Sequence, residues 1–87
     1  MRAPRLQLYT RPGCHLCEEL LAAAAPIAER HHAVIEKVDI DGDERLARRY
    51  GLAIPVLVLE GREICRHRLD ADALERALAT VAGSTGC

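Results

Sequence analysis

Leu6-Gln7-Leu8-Tyr9-Thr10-Arg11-Pro12-Gly13-Cys14-His15-Leu16-Cys17 carries the chain from a short apolar strand, across a Pro-Gly break, to two cysteines at the start of a helix. From there Leu16, Leu20, Ala24, Ile27 and Ala28 recur at three- and four-residue spacing and mark one apolar stripe. Cysteines three positions apart on such a helix are neighbours on one face, roughly 5–6 Å apart at Cβ. A disulfide needs Cα atoms about 4.4–6.8 Å apart, so the pair can open and close without moving the backbone. Pro26 falls inside the stripe and predicts a kink or break before Arg30.

Working outward, Ala33 to Asp39 reads as a second strand, and Glu36 with Lys37 in its middle places it at a sheet edge. Asp41-Gly42-Asp43 is a turn with an N-cap, and Glu44 to Tyr50 is a short helix closed by Gly51 in a left-handed conformation. Ile54-Pro55-Val56-Leu57-Val58-Leu59 is apolar throughout, the pattern of a central strand covered on both faces, with Pro55 at its first residue. Glu60-Gly61-Arg62 turns it into an antiparallel partner, Glu63 to His67. Asp70 then caps a last helix, with Leu69 and Leu74 as a hydrophobic staple and Leu74, Leu78 and Val81 as the buried stripe. Gly83 to Cys87 reads as a mobile tail. The order βαβαββα combines a right-handed parallel crossover with an antiparallel hairpin. The expected fold class is α/β, with a four-stranded mixed sheet flanked by three helices that cover both faces.

With 87 residues there is room for one domain, 1–87, and no second core. Aromatics are 2% of a chain that is 49% hydrophobic, so the interior is built from Leu, Ile, Val and Ala, with Tyr9 and Tyr50 as packing residues. Without aromatic platforms, and with a formal net charge of -1, the chain has no general attraction for nucleic acid or an anionic membrane. No apolar run is long enough to span a bilayer or to form the h-region of a signal peptide. The expected location is the cytoplasm, as a monomer, where thiols are held reduced and a Cys-x-x-Cys pair serves catalysis or metal binding rather than stapling.

Cys14 sits where unpaired backbone N–H groups and the positive end of the helix dipole stabilise a thiolate, so its pKa is expected below that of a free thiol. Cys17, one turn further in, is expected to be more buried and to act as the resolving thiol. Arg11 and His15 add positive charge nearby; each also has an ordinary reading, as a surface charge and an exposed spacer. Metal ligation by Cys14, Cys17, His31 and His32 is the main rival. Adjacent histidines do not match zinc-finger spacing, and a helix of about 20 Å separates them from the cysteines. No metal site is therefore expected, and the histidines read as a solvated helix end. Cys65 reads as a half-buried strand residue facing opposite to Ile64, and Cys87 as a tail thiol without a role. Leu57, Leu59, Leu74 and Leu78 read as core.

Leu8-Tyr9-Thr10-Arg11-Pro12-Gly13-Cys14-His15-Leu16-Cys17 resembles the strand, loop and active site of glutaredoxins, in which Tyr-Thr-Lys/Arg-Pro-x-Cys-x-x-Cys is common. Ile54-Pro55-Val56 resembles the second landmark of that family, a cis X-Pro bond beside the dithiol. The resemblance covers nearly the whole chain, and its Cys-x-Leu-Cys variant is similar to a small bacterial glutaredoxin-like group. It implies a thioredoxin fold with Pro55 cis and the Ile54 backbone free to pair with a bound peptide or glutathione. It also implies Arg11 as a secondary substrate contact, and thiol-disulfide oxidoreductase activity through Cys14 and Cys17 without a bound prosthetic group. The implied partners are a disulfide-containing protein or small-molecule thiol, and a reductant that is glutathione or a flavoprotein reductase.

The sequence departs from the family in two places. His15-Leu16 replaces the usual Pro-Tyr, and His67-Arg68-Leu69-Asp70 replaces the Gly-Gly and acidic residue that receive one end of glutathione. Asp70 reads as an N-cap, with acceptance of a glutathione amine at the helix start as the alternative; with His67-Arg68 in place of the glycine pair, the resemblance argues for thiol-disulfide exchange more strongly than for glutathione as co-substrate. The competing reading of the same fold is a non-catalytic carrier of a metal or iron-sulfur cluster, or a protein-binding module.

Overall fold

A computed structural model describes residues 3–85 of the chain, with side chains described as far as Thr80. The elements follow as β1 (Arg5–Thr10), α1 (His15–Arg30), β2 (Val34–Asp39), α2 (Glu44–Tyr50), β3 (Val56–Leu59), β4 (Arg62–Arg66) and α3 (Ala71–Thr85), with a single 3-10 turn at Ile40–Gly42. The four strands form one sheet in the order β2-β1-β3-β4. β1 and β2 are parallel, with Leu8 opposite Lys37; β1 and β3, like β3 and β4, are antiparallel. β2 therefore lies at an edge, β3 lies inside the sheet, and every residue of β3 is buried, as their sequence patterns predict.

The register decides which side chains share a face. Leu6 and Leu8 stand opposite Leu59 and Leu57. These four join Leu20, Ala24, Ile27 and Ala28 of α1 and Leu74 and Leu78 of α3 in the larger core. The other face carries Val56 and Val58, and is covered by Ile40, Tyr50 and Ala53 with Tyr9, Leu46 and Ile54 against them. Tyr9 and Tyr50 stack with ring centroids 4.5 Å apart, and the Arg49 guanidinium lies 5.3 Å from the centre of the Tyr50 ring. Two aromatic rings thus close the thinner side of the sheet.

Several local expectations are changed by packing. Leu16 is 54% exposed rather than buried, while Cys17 is 2% exposed and takes the inward position. At 3.6 residues per turn Leu16 lies about 80° round the helix from the fully buried Ala24, at the margin of the apolar arc. α1 runs through Pro26 to Arg30 without a break. Both Pro26 and Ala22, whose carbonyl loses its intrahelical partner, lie on the solvent side, where water can replace the missing bond.

Gly51 is right-handed (φ -52°, ψ -35°), not left-handed; glycine is needed there because a Cβ would collide with the Ala47 carbonyl oxygen. Asp43 caps α2 as expected, accepting from the N–H groups of Arg45 (2.9 Å) and Leu46 (3.3 Å). The hairpin turns at Glu60-Gly61, both with positive φ. A bulge follows: Leu57 pairs with Cys65 but Val58 pairs with Glu63, leaving Ile64 as the extra residue. Strict alternation would put Ile64 and Cys65 on opposite faces, yet both pack against the larger core.

In α3, Asp70 accepts from the Ala73 N–H at 3.1 Å, Leu69 and Leu74 meet the larger core, and Leu78 is buried. The helix extends past Gly83, where the sequence suggests a tail, since one glycine costs a helix only about 1 kcal/mol. The side chain of Val81, and Gly86 and Cys87 altogether, lie outside the described residues.

Candidate functional site

The dithiol is built by a turn and a helix start. Arg11-Pro12-Gly13-Cys14 closes with the Cys14 N–H donating to the Arg11 carbonyl at 3.1 Å, and Gly13 holds φ +81°, the left-handed third position that a Pro-Gly turn requires. Cys14 is extended and serves as the N-cap of α1; its Sγ accepts from the Cys17 N–H at 3.1 Å. The two cysteines form a disulfide across a Cα separation of 5.2 Å, inside the range read from their spacing. Cys14 is half-buried and Cys17 buried, so Cys14 is the more accessible of the two.

The remaining sequence candidates are distributed around this pair. His15 is exposed and lies 4.0 Å from Glu19, one turn along α1. Arg11 is not a free cation: its Nε donates to Asp41 Oδ1 at 3.2 Å. The Ile54–Pro55 peptide bond is cis, as the resemblance implies. The Ile54 N–H, however, donates to the Tyr50 carbonyl at 3.0 Å, so the Ile54 backbone is not wholly free. The Pro55 carbonyl accepts from the His67 N–H at 2.8 Å.

His31 is not simply solvated at its helix end. Its Nε2 lies 3.0 Å from Glu75 Oε1, which also meets Arg30 Nη2 at 3.1 Å, tying the C-terminus of α1 to α3. These two partners hold the Glu75 carboxyl below its usual pKa. Burial pushes the Cys65 thiol up, away from the thiolate form. Among the described residues no three His, Cys, Asp or Glu side chains are gathered to hold a metal ion. No described helix is long and apolar enough to cross a membrane.

A cleft of about 310 Å³ opens beside the dithiol, between the first turn of α1 and the edge strand β2. Leu8, Cys17 and Leu21 are apolar parts of its lining; Thr10, Glu18 and Lys37 are polar ones, and Cys14 lies on it. Ile54 and Pro55 do not line it, because they lead into β3, on the other side of β1. The sequence-predicted residues are thus not gathered in one pocket. Sequence alone assigns Thr10, Glu18 and Lys37 no place in the site; Lys37 reads there only as a charge on an edge strand and Thr10 only as part of the loop motif. The available signal was parity: Lys37 shares with Ile35 the face of β2 turned toward α1, an unusual place for a charge.

Comparison with known proteins agrees with this architecture. The family model described as Glutaredoxin-like domain (DUF836) matches residues 5–79. A protein of Dictyostelium discoideum called Glutaredoxin-like protein YDR286C homolog is 29% identical over 82 residues, covering 87% of this chain and 76% of that one. The solution structure of protein Ne2328 from Nitrosomonas europaea superposes with a TM-score of 0.80 at 35% identity, over 88% of this chain and 93% of that one. A mutant thioredoxin from Halobacterium salinarum superposes with a TM-score of 0.63 at 27% identity, over 91% and 74% of the two chains. A β1-turn-α1 unit ending in a cysteine pair, a mixed sheet of order β2-β1-β3-β4, and a family match over almost the whole chain lead to one conclusion: the chain belongs to the glutaredoxin-like family of the thioredoxin fold.

Proposed function

We propose that the protein is a thiol-disulfide oxidoreductase that works by dithiol/disulfide exchange through Cys14 and Cys17. The observation that carries this reading is the asymmetry of the bonded pair. Cys14 is an accessible N-cap whose sulfur receives a backbone N–H, whereas Cys17 is 2% exposed behind it. In the reduced protein the Cys14 thiolate attacks one sulfur of a substrate disulfide, forming a mixed disulfide and releasing the first substrate thiolate. Cys17, losing its proton to solvent, then attacks Cys14 Sγ and releases the second thiolate. The substrate is reduced by two electrons and the Cys14–Cys17 pair is oxidised.

A thiol reductant, glutathione or a reductase-coupled dithiol, must return the pair to the reduced state. Arg11 is held by Asp41 and contributes positive potential near the turn rather than a free fork for a carboxylate. The carbonyl of Ile54 is the backbone group through which an extended substrate segment would pair beside Pro55. A reducing compartment such as the cytoplasm suits this chemistry.

The test is a redox titration in glutathione buffers read by mass spectrometry. The expected result is a reversible two-electron transition that Cys17→Ser converts into an accumulating mixed disulfide on Cys14 and that Cys14→Ser abolishes. Exchange that survives Cys14→Ser would disprove the assignment. A metal bound stoichiometrically and lost with Cys14 would favour a carrier instead.

A further inference from the structure

On the side of the dithiol away from Ile54-Pro55, two opposite charges face one cleft without meeting. Lys37 stands on β2 opposite Leu8, and the alternation that turns Ile35 toward α1 turns Lys37 the same way. Glu18 leaves the first turn of α1 directly after Cys17. Both line the cleft with Cys14, and among the described residues neither side chain has an ion-pair or hydrogen-bond partner. The other charges at the rim are engaged: Arg11 by Asp41, and Asp39 by the Asp41 N–H at 2.9 Å.

A second observation points to a ligand. Thr10, at the end of β1, is 8% exposed and lines the same cleft, and its hydroxyl has no hydrogen-bond partner among the described residues. No buried side-chain oxygen or nitrogen among the described residues lacks a partner, so this hydroxyl stays open to the cleft, where a ligand can bond to it. One free cation, one free anion and one hydroxyl open to the cleft, around an apolar floor, match a small zwitterion better than a phosphate or a purely cationic group. At about 310 Å³ the cleft is at the lower end of small-molecule sites, large enough for an amino acid or a dipeptide and too small for a loop of a folded protein.

We propose that this cleft seats the amino-acid head of a low-molecular-weight thiol, its carboxylate on Lys37, its ammonium on Glu18 and one polar atom on Thr10, so that its sulfur reaches Cys14. The inference rests on the thiol-exchange reading and assigns a recognition site to it. The bound thiolate attacks Cys14 Sγ, and Cys17 leaves as a thiolate that takes a proton from solvent. A second molecule of the same thiol, deprotonated, attacks the small-molecule sulfur of the mixed disulfide and releases Cys14. Two thiols are oxidised to one disulfide, and the protein disulfide is reduced to the dithiol.

The test uses the full oxidised chain and four probe thiols: L-cysteine, 3-mercaptopropionate, cysteamine and 2-mercaptoethanol. Reduction of the Cys14–Cys17 disulfide is followed by acid quench, alkylation and mass, and each rate is expressed per thiolate and corrected for thiol basicity. L-cysteine is expected to exceed 2-mercaptoethanol by about fivefold and to saturate, the advantage that one or two part-exposed ion pairs supply. Lys37→Gln should reduce that advantage to the part supplied by Glu18 and slow 3-mercaptopropionate, leaving cysteamine and 2-mercaptoethanol unchanged. Glu18→Gln should slow L-cysteine and cysteamine relative to 2-mercaptoethanol. Both residues are exposed, so the variants should fold. Four thiols that rank alike in the parent and both variants, or a Lys37→Gln variant that slows all four equally, would overturn the cleft while leaving thiol exchange standing. No reduction by any thiol would overturn the exchange reading and the cleft with it.

Discussion

Three leucine-to-alanine substitutions remove the same atoms from three environments, and the structure ranks them. Leu57 is 0% exposed, in the middle of β3, paired with Leu8 on one side and Cys65 on the other. Losing three buried carbons costs about 2.4 kcal/mol at ~0.8 kcal/mol each. The cavity left between sheet and helices raises Leu57→Ala to about 3–5 kcal/mol. An 87-residue domain has a total stability of roughly 4–13 kcal/mol, so this variant should lose a large part of it. Leu16, at 54% exposure, gives up about half the transfer energy and leaves no closed cavity, so Leu16→Ala should cost about 1 kcal/mol. Leu52 is 99% exposed, and Leu52→Ala should change stability by less than about 0.5 kcal/mol. The assay is urea unfolding of the oxidised protein followed by far-UV circular dichroism, with the midpoint of Leu57→Ala expected to fall by at least about 1 M. A Leu16→Ala cost as large as that of Leu57→Ala would mean that α1 presents Leu16 to the core, as its sequence stripe suggests, and would refute the helix orientation on which the burial of Cys17 depends.

Asp43→Ala removes the acceptor of two N–H groups at the start of α2 and should lower stability by about 1 kcal/mol, measured by the same unfolding transition. Because Arg30 and His31 lower the folded pKa of Glu75 below its ordinary 4.5, this carboxylate stabilises the fold above that value and the contribution is lost as pH falls through the lowered one. Glu75→Gln should therefore flatten the acid limb of the stability curve, and parallel limbs for the two proteins would contradict the contact. The thiol of Cys65, raised in pKa by burial, should react with iodoacetamide at pH ~8 much more slowly in the folded oxidised protein than in urea. Peptide-resolved mass spectrometry separates it from Cys87, and equal rates in the two states would place Cys65 at the surface.

The candidate site divides along the same line between local and distant contacts. The pair Cys14 and Cys17, its Pro-Gly turn and its place at a helix start are legible in twelve consecutive residues, because each depends on backbone geometry within one or two turns. The identity of the cleft walls is not. Lys37 meets the dithiol only because β2 pairs in parallel with β1, and Arg11 and His31 find Asp41 and Glu75, which lie 30 and 44 positions away. Nothing in the local pattern around Arg11 distinguishes a free cation from one already neutralised.

By itself, then, the amino-acid sequence determined the order of elements, the edge and central places of β2 and β3, the N-caps at Asp43 and Asp70, and the dithiol at the head of α1. These follow from periodicity, charge and capping chemistry, which act over a few residues. Tertiary structure alone decided that Cys17 rather than Leu16 points inward, that Gly51 stays right-handed beneath the Ala47 carbonyl, and that a bulge turns both Ile64 and Cys65 to the core. It also decided that the cleft beside Cys14 opens toward Lys37 rather than toward Pro55. A hydrophobic period fixes an arc on a helix or a face on a strand but not its centre. The centre is chosen by close packing against partners far away in the chain, where a shift of one residue exposes one side chain and buries another.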